Sequence, residues 1–258
     1  MSTFLNPSPV FGPIHSRRLG ISLGINLLPE DGKLCTFDCI YCECGFNNDF
    51  KQKTKIPTKE LVLSKLEEKL AELKAQNVSP DVFTFAGNGE PTSHPNFAEI
   101  IDGTIVLRDK YFPNAKISVL SNSTFIHKES VREALMKVDN NILKLDTIDS
   151  EYINVVDRPT GSYDVNAIIE NMKRFEGHII IQTMFLKGTW QGKSVANTDE
   201  KHVSDWLEAV KNIAPQEVMI YTIDRETPAK NLEKATHEEL DAICKRVKDM
   251  GIACTASY

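Results

Sequence analysis

The chain has 258 residues, of which 41% are hydrophobic and 26% are charged, enough for one substantial core and within the range of a single α/β barrel. Its formal net charge of -6 argues against a broadly basic nucleic-acid platform. No secretory signal is evident and no apolar run approaches the roughly 18 residues of a membrane span, so we expect a soluble, cytoplasmic protein with no membrane partner.

Short apolar runs recur along the chain, and each is followed by a helical pattern, which is typical of βα units on a parallel sheet. We predict six strands, over residues 21–28, 82–86, 117–121, 142–146, 179–185 and 218–222, and a last strand near 252–255 that closes the sheet. The predicted fold is α/β, a partial (β/α)6 TIM-like barrel of parallel strands. We expect one domain over residues 1–258, with residues 1–19 as an extension that packs on the barrel.

Three helix boundaries have sequence signals. Pro57 is predicted in the first turn of a helix that runs to about residue 76. Thr198, which two acidic residues follow, has the pattern of an N-cap. Thr236 and Glu239 form a predicted capping box, and the helix that they open should stop at Gly251.

Two segments lack clear periodicity, residues 35–56 and 147–162, and we call them the cysteine loop and the second loop. Each follows the carboxyl end of a predicted strand, the cysteine loop after the first one. In α/β barrels the active site is built from such loops. The cysteines of residues 35–56 therefore lie where chemistry is expected.

Six cysteines are too few for a disulfide scaffold here, and three of them, Cys35, Cys39 and Cys42, form a C-x3-C-x2-C pattern. These motif cysteines can hold three irons of one cubane cluster and leave the fourth iron without a protein ligand, as in sites that bind and transform a molecule. A zinc site is the alternative, although zinc usually takes four ligands in two pairs and no second pair is present.

The other three cysteines have less definite roles. Cys44 follows Cys42 closely and is either a spectator or a fourth thiolate. Cys244, in a predicted helix, and Cys254, in the last predicted strand, have the pattern of buried hydrophobic residues. A second cluster built from such thiols stays an alternative.

The motif cysteines, with Tyr41 just before the last of them, resemble the cluster loop of the radical S-adenosylmethionine (radical SAM) superfamily. Residues 87–92, Gly-Asn-Gly-Glu-Pro-Thr, are similar to that family's Gly-Gly-Glu-Pro motif, with Asn88 in place of one glycine. The resemblance implies a [4Fe-4S] cluster on the motif cysteines, Tyr41 near the adenine of S-adenosylmethionine, and residues 87–90 at its methionine amino group. Glycines allow close backbone approach, and Glu90 offers a carboxylate to an ammonium group.

Later strand ends carry further candidates. Ser121 and Asn122 resemble the polar position that holds the cofactor's ribose or carboxylate in this superfamily. Asp146 follows the fourth predicted strand beside Lys144, where a solvated charge cluster is the alternative. Gln182 is an amide inside an apolar strand and needs partners from cofactor or substrate. The candidate cofactor-binding residues are Tyr41, Gly87, Asn88, Gly89, Glu90, Ser121, Asn122, Asp146 and Gln182.

The segment from Phe11 to Asn26 resembles a subgroup of uncharacterised iron-sulfur oxidoreductases related to the wyosine-forming enzymes of tRNA. Wyosine-forming enzymes carry further cysteines before the cluster loop for a second cluster. Here no cysteine precedes Cys35, and this departure separates the chain from those enzymes.

The resemblance implies a radical SAM oxidoreductase or lyase-type enzyme that receives one electron from an external flavodoxin-type or ferredoxin-type donor. It cleaves S-adenosylmethionine to a 5'-deoxyadenosyl radical, which takes hydrogen from a small molecule or from a nucleoside, either free or within tRNA. An activase that installs a radical on a partner protein is one alternative. A non-catalytic electron-transfer protein, with Cys44 as fourth ligand, is another. The candidates for substrate recognition are Arg17, Arg18, Arg158, Tyr221, Asp224 and Arg225.

Overall fold

The structure is a computed structural model, and it describes residues 4–16, 19–49 and 52–258. Its strands are β1 (Val10–Ser16), β2 (Gly20–Ile25), β3 (Val82–Phe85), β4 (Lys116–Ser121), β5 (Asn140–Lys144), β6 (Ile180–Met184), β7 (Leu186–Trp190), β8 (Lys193–Ser194), β9 (Glu217–Tyr221), β10 (Leu232–Lys234) and β11 (Ala253–Ser257). A curled, mostly parallel sheet of eight strands, in the order β1-β2-β3-β4-β5-β6-β9-β11, forms a half-barrel. The prediction of a partial TIM-like barrel is confirmed.

Helices follow the parallel strands in the predicted alternation. They are α1 (Lys59–Ala75), α2 (Phe97–Tyr111), α3 (Glu129–Leu135), α4 (Ser150–Tyr152), α5 (Val165–Lys173), α6 (Glu200–Ile213) and α7 (His237–Asp249). A 3-10 turn spans Pro91–Ser93, and a π-helical turn spans Ile153–Asp157. Among the residues described, none of these helices combines the length and the apolar character that crossing a membrane requires.

The last strand lies at an edge of the sheet and does not close it. β11 pairs in parallel with β9, and the strand order ends at β1 on one side and at β11 on the other. The described strands therefore leave the barrel open, which corrects the predicted closure.

The parallel strands are buried on both faces. Leu143 and Ile181 belong to the large core that also contains the helix residue Trp206, whereas their neighbours Ile142 and Ile180 belong to a separate apolar cluster. Helices cover one face of the sheet and the inside of the half-barrel is the other. This arrangement explains why these strands are apolar throughout, without strict alternation.

Two predicted helix starts were wrong by one or two residues. Thr58 is the N-cap of α1 and accepts from Leu61 N, so Pro57 lies before the cap and not in the first turn. Asp199, not Thr198, caps α6 and accepts from two backbone N–H groups. The predicted capping box of α7 is confirmed, with Thr236 and Glu239 each bonded to the other's backbone.

Two pieces of sheet were not predicted. β1 pairs antiparallel with β2, so residues 10–16 extend the barrel by one strand. β10, β7 and β8 form a separate antiparallel sheet of three strands. This small sheet is built from the segments that follow β6 and β9, at the carboxyl ends of the barrel strands. It therefore lies on the side of the half-barrel where the cysteine loop begins.

Candidate active site

The cysteine loop and the second loop meet at the carboxyl ends of the parallel strands. Just before the cysteine loop, Leu34 N donates to Asn88 O at 2.8 Å, and Glu90 N donates to Leu34 O at 3.2 Å. On the other side Ile40 N donates to Val156 O at 2.9 Å. Backbone hydrogen bonds thus hold the cysteine loop between the turn after β3 and the second loop.

The motif cysteines lie in a largely buried part of this junction. Cys39 is buried, and Cys35 and Cys42 are half-buried. Cys35 Sγ accepts from Phe37 N and from Asn122 Nδ2, each at 3.5 Å. Such hydrogen bonds to sulfur stabilise thiolates and, when a cluster is bound, tune its potential.

Cys44 is buried beside the motif cysteines, and its Sγ donates to Gly87 O at 3.5 Å. Its hydrogen bond to Cys42 lowers the pKa of the Cys42 thiol below the ordinary value, against the effect of burial. The two remaining thiols lie elsewhere, since Cys244 Sγ donates to Cys254 O at 3.4 Å in the core between α7 and β11.

Lys33 is a buried cation next to the cysteine loop, with only 5% of its surface exposed. Its Nζ donates to Gly45 O at 2.8 Å and lies 3.8 Å from Asp38 Oδ1. Burial opposes the charged form, but the motif cysteines and Asp38 raise the pKa of Lys33 above its ordinary value. Lys33 thus lies between a backbone carbonyl and a carboxylate at the start of the cysteine loop.

A second buried charge cluster lies on the other side of Cys39. Lys144 Nζ is 2.9 Å from Asp157 Oδ1 and also binds Asp146 and the Tyr41 hydroxyl. The Tyr41 hydroxyl donates to Asp146, and Cys39 Sγ donates to Asp157 Oδ1 at 3.7 Å. Burial raises the pKa of Asp157, while the Lys144 cation opposes this shift. Asp146 is thus buried and paired with Lys144, so the alternative of a solvated charge cluster is wrong.

The two glycines of residues 87–90 are required by close contacts. A Cβ on Gly89 would lie 1.8 Å from Leu34 O, and one on Gly87 would lie 2.5 Å from Asn26 Oδ1. Gly89 also has a φ of 139°. A side chain at Gly89 would thus separate this turn from the backbone just before the cysteine loop.

Asn88 is fully buried and turned towards the N-terminal segment. Its Oδ1 accepts from Asn6 N at 2.8 Å, and its Nδ2 donates to Asn6 O at 2.9 Å and to Pro29 O at 2.8 Å. The side chain that replaces a glycine of the family motif therefore fixes residues 4–9 to the barrel. Its own polar atoms are satisfied by the protein, so only its backbone faces the cysteine loop.

Glu90 brings together the polar residues after β3 and β4. Its Oε1 accepts from Ser121 Oγ at 2.8 Å and from Thr92 N at 3.0 Å, and its Oε2 accepts from Asn122 N at 2.6 Å. Burial raises the pKa of Glu90, and these hydrogen bonds oppose that shift. The sequence-predicted residues Glu90, Ser121 and Asn122 thus form one network that reaches Cys35 through Asn122.

Gln182 lies on β6 between two cavities inside the half-barrel. One cavity, of about 270 Å³, opens beside Tyr41 and Cys42, and the other, of about 110 Å³, is lined by apolar residues that include Phe11 and Met219. Among the described residues, no hydrogen-bond partner is found for the side-chain amide of Gln182, so this amide is available to a ligand. Gln182 is half-buried and lines both cavities.

Three of the six substrate-recognition candidates lie at one cavity. Tyr221, Asp224 and Arg225 line the cavity beside Cys42, and Arg225 Nη1 donates to Glu43 Oε2 at 2.7 Å. Arg158 lies 3.4 Å from Asp38 Oδ2 and over the ring of Phe46. Arg17 and Arg18 lie outside the described residues.

Sequence reasoning missed Lys33 and Asp157 as members of the site. Asp157 lies in the second loop, which lacks a pattern, and only the fold brings it to Cys39. Lys33 precedes Cys35 closely in sequence, and this proximity was the available signal.

The alternative of a zinc site requires side chains that converge on one ion. Within residues 4–16, 19–49 and 52–258, no three His, Cys, Asp or Glu side chains lie close enough together to hold one metal ion. A structural zinc site needs four ligands, each at about 2.0–2.3 Å from the metal. The described side chains do not provide such a set.

Comparisons with known proteins agree with this geometry. The family model of the radical SAM superfamily matches residues 30–189, a range that contains the motif cysteines, Glu90 and Gln182. A UPF0026 protein of Helicobacter pylori is 33% identical over 239 residues, which cover 91% of this chain and 72% of that protein.

Two solved structures resemble the fold. A radical SAM methyltransferase from Sphaerobacter thermophilus superimposes with a TM-score of 0.67 at 13% identity, over 92% of this chain and 66% of that one. Streptococcus suis SuiB bound to S-adenosylmethionine gives a TM-score of 0.60 at 16% identity, over 91% of this chain and 46% of that one. The chain therefore spans less than two thirds of either structure. The family match shows that the chain belongs to the radical SAM superfamily, whose members use a [4Fe-4S] cluster and S-adenosylmethionine.

Proposed function

We propose that this chain is a radical SAM enzyme that holds its cluster on Cys35, Cys39 and Cys42 and cleaves S-adenosylmethionine reductively. Its substrate is a small molecule or a nucleoside, which includes a nucleoside within tRNA, and its reaction is of the oxidoreductase or lyase type. When bound, the cluster and S-adenosylmethionine supply the electron and the 5'-deoxyadenosyl radical that abstracts hydrogen from the substrate.

The donor set fits a cubane cluster with one open iron. Three thiols come from one loop, and backbone bonds to the turn after β3 and to the second loop fix that loop on both sides. Thiolates are the ligands that iron-sulfur clusters take. The buried cation Lys33 lies beside the cysteine loop and offsets the negative charge of such a site. Cys44 has a carbonyl partner of its own, which supports a role outside the ligand set.

The chain's own residues would orient the cofactor and exclude water. Glu90, Ser121 and Asn122 form a rigid polar edge beside Cys35, where a methionine amino and carboxylate group would be recognised. The buried side chains Phe37 and Ile40 pack around the cysteine loop and keep solvent from it. Gln182, with its amide towards the cavities, would contact the cofactor or the substrate.

One observation carries the proposal: Asn122 bonds both to Cys35 and to Glu90, so the expected cluster loop and the expected cofactor-binding turn form one connected site. The experiment that tests it is anaerobic reconstitution with iron and sulfide, followed by reduction in the presence of S-adenosylmethionine. We expect about four irons per chain and formation of 5'-deoxyadenosine. A reconstituted cluster that yields no 5'-deoxyadenosine under any reductant would exclude the proposed chemistry.

Three further expectations belong to this proposal. The sheet of eight strands runs from residue 10 to residue 257, which supports one functional domain over the chain. The described cysteines are all free, which suits a cytoplasmic, reducing compartment. A flavodoxin-type or ferredoxin-type protein is the proposed electron donor, because reductive cleavage needs a one-electron source.

A further inference from the structure

Lys33 has an unusual electrostatic position. Its side chain is almost completely buried, yet its direct partner is the neutral carbonyl of Gly45, at 2.8 Å. Its carboxylate neighbour, Asp38, is 3.8 Å away. Asp38 is also engaged by Asn47 N at 2.7 Å and by Arg158 at 3.4 Å. Asp38 thus shares its single charge between two cations.

Lys144 provides the contrast within the same site. Its side chain is 14% exposed, and it contacts the two carboxylates of Asp146 and Asp157 directly. A buried cation is costly unless an anion compensates it, and Lys144 has that compensation within its own cluster. The neutral carbonyl of Gly45 gives Lys33 no compensating negative charge, and Asp38 gives only part of it. Gly45, whose carbonyl binds Lys33, donates from its own N to Cys42 O at 2.9 Å, and Lys33 lies two residues before Cys35. The remaining negative charge next to Lys33 can therefore come from the motif cysteines when they bind a cluster as thiolates.

We propose that Lys33 is a positioning residue whose fixed charge compensates the motif thiolates and raises the reduction potential of the cluster bound to them. This inference rests on the proposed function. Reduction adds one negative charge to the cluster, and a buried cation nearby stabilises the reduced state more than the oxidised state. Lys33 would thereby make the cluster easier to reduce.

The test compares three variants of the reconstituted full-length chain. Lys33→Gln keeps hydrogen-bond donors but removes the charge, Lys33→Arg keeps the charge, and Lys65→Gln removes an exposed charge on α1 as a matched control. Iron content and the midpoint potential, followed by electron paramagnetic resonance without S-adenosylmethionine, are measured for each. Circular dichroism checks that each variant is folded.

We expect Lys33→Gln to have a more negative potential, with about a tenfold lower ratio of reduced to oxidised cluster at a given applied potential, which corresponds to about 59 mV. Lys33→Arg and Lys65→Gln should stay near the wild type. Loss of the cluster in Lys33→Gln with retention in Lys33→Arg would support the same role of the charge.

Three results would overturn the inference: a wild-type potential in cluster-loaded Lys33→Gln, equal shifts in Lys33→Gln and Lys33→Arg, or loss of the cluster from both. Each would mean that the charge of Lys33 does not set the potential of the cluster. Failure of the wild-type chain itself to bind a cluster would instead refute the proposed function, so the two failures are distinct.

Discussion

Asn122 donates from its side chain to the Cys35 thiol at 3.5 Å, although the two residues are 87 positions apart in the chain. Its backbone amide donates to Glu90 at 2.6 Å. One residue at the end of β4 thus connects a motif cysteine with the carboxylate of the turn after β3. Substitutions of the motif cysteines should therefore affect mainly the cluster, and substitutions of Glu90 should affect mainly the binding of S-adenosylmethionine.

Cys39→Ala should abolish both the 4Fe cluster and the formation of 5'-deoxyadenosine, because two thiolates cannot hold a cubane that needs three. Cys254→Ala is the matched control, since Cys254 is a buried thiol in the core near α7. Iron content, the visible absorption spectrum and product formation measure the effect. Cleavage of S-adenosylmethionine by the Cys39→Ala variant would disprove the ligand assignment.

Glu90→Gln should retain the cluster and weaken S-adenosylmethionine binding about tenfold, which corresponds to about 1.4 kcal/mol. The new amide turns one acceptor into a donor that faces the Ser121 hydroxyl or a backbone N–H group. Leaving such a buried donor unsatisfied should also lower the free energy of unfolding by about 1–3 kcal/mol. Equilibrium dialysis and thermal denaturation measure the two effects, and exposed Glu99→Gln serves as control. Wild-type affinity in Glu90→Gln would remove this carboxylate from the cofactor site.

Gly89→Ala should destabilise the chain and reduce cluster retention, because the added Cβ would lie 1.8 Å from Leu34 O. The clash is with a backbone atom of Leu34, so the segment that leads into the cysteine loop must move. Gly161→Ala is the control, since its Cβ would meet no atom within 4 Å and should change stability by no more than about 0.5 kcal/mol. Equal unfolding temperatures for the two variants would show that the contact at Gly89 is not needed.

Much of the fold follows from the sequence, because the parallel strands are apolar on both faces and four of the described helices, α1, α5, α6 and α7, are capped by Thr or Asp side chains. The one-residue error at Thr198 has a simple cause, since Thr198 and Asp199 are both good N-caps and the carboxylate is the one that bonds to the helix. β1 was not predicted because Gly12 and Pro13 interrupt the apolar run of this strand.

The site was predictable only where chemistry imposes a spacing. The motif cysteines are recognisable because three thiolate ligands must converge on one cluster. Residues 87–90 are recognisable because their two glycines must lie close to Leu34 and Asn26. Asp157 and the β7–β10 pairing depend on contacts between distant segments. No local pattern encodes these contacts, so only the folded chain reveals them.

Asn88→Gly, which restores the glycine of the family motif, should release the N-terminal segment without removing the cluster. The change deletes the paired hydrogen bonds to Asn6 and the bond to Pro29. Hydrogen exchange of residues 4–9 should become faster, while iron content stays near the wild-type value. Unchanged exchange at Asn6 would show that other contacts are sufficient to hold this segment.

The central claim is that the motif cysteines leave one iron open for S-adenosylmethionine. Its most direct test is the electron paramagnetic resonance spectrum of the reduced, reconstituted protein with and without S-adenosylmethionine. We expect a clear change of the signal when S-adenosylmethionine is added, because the cofactor binds at the open iron. An identical spectrum, together with four thiolate ligands that include Cys44, would contradict it and indicate an electron-transfer protein.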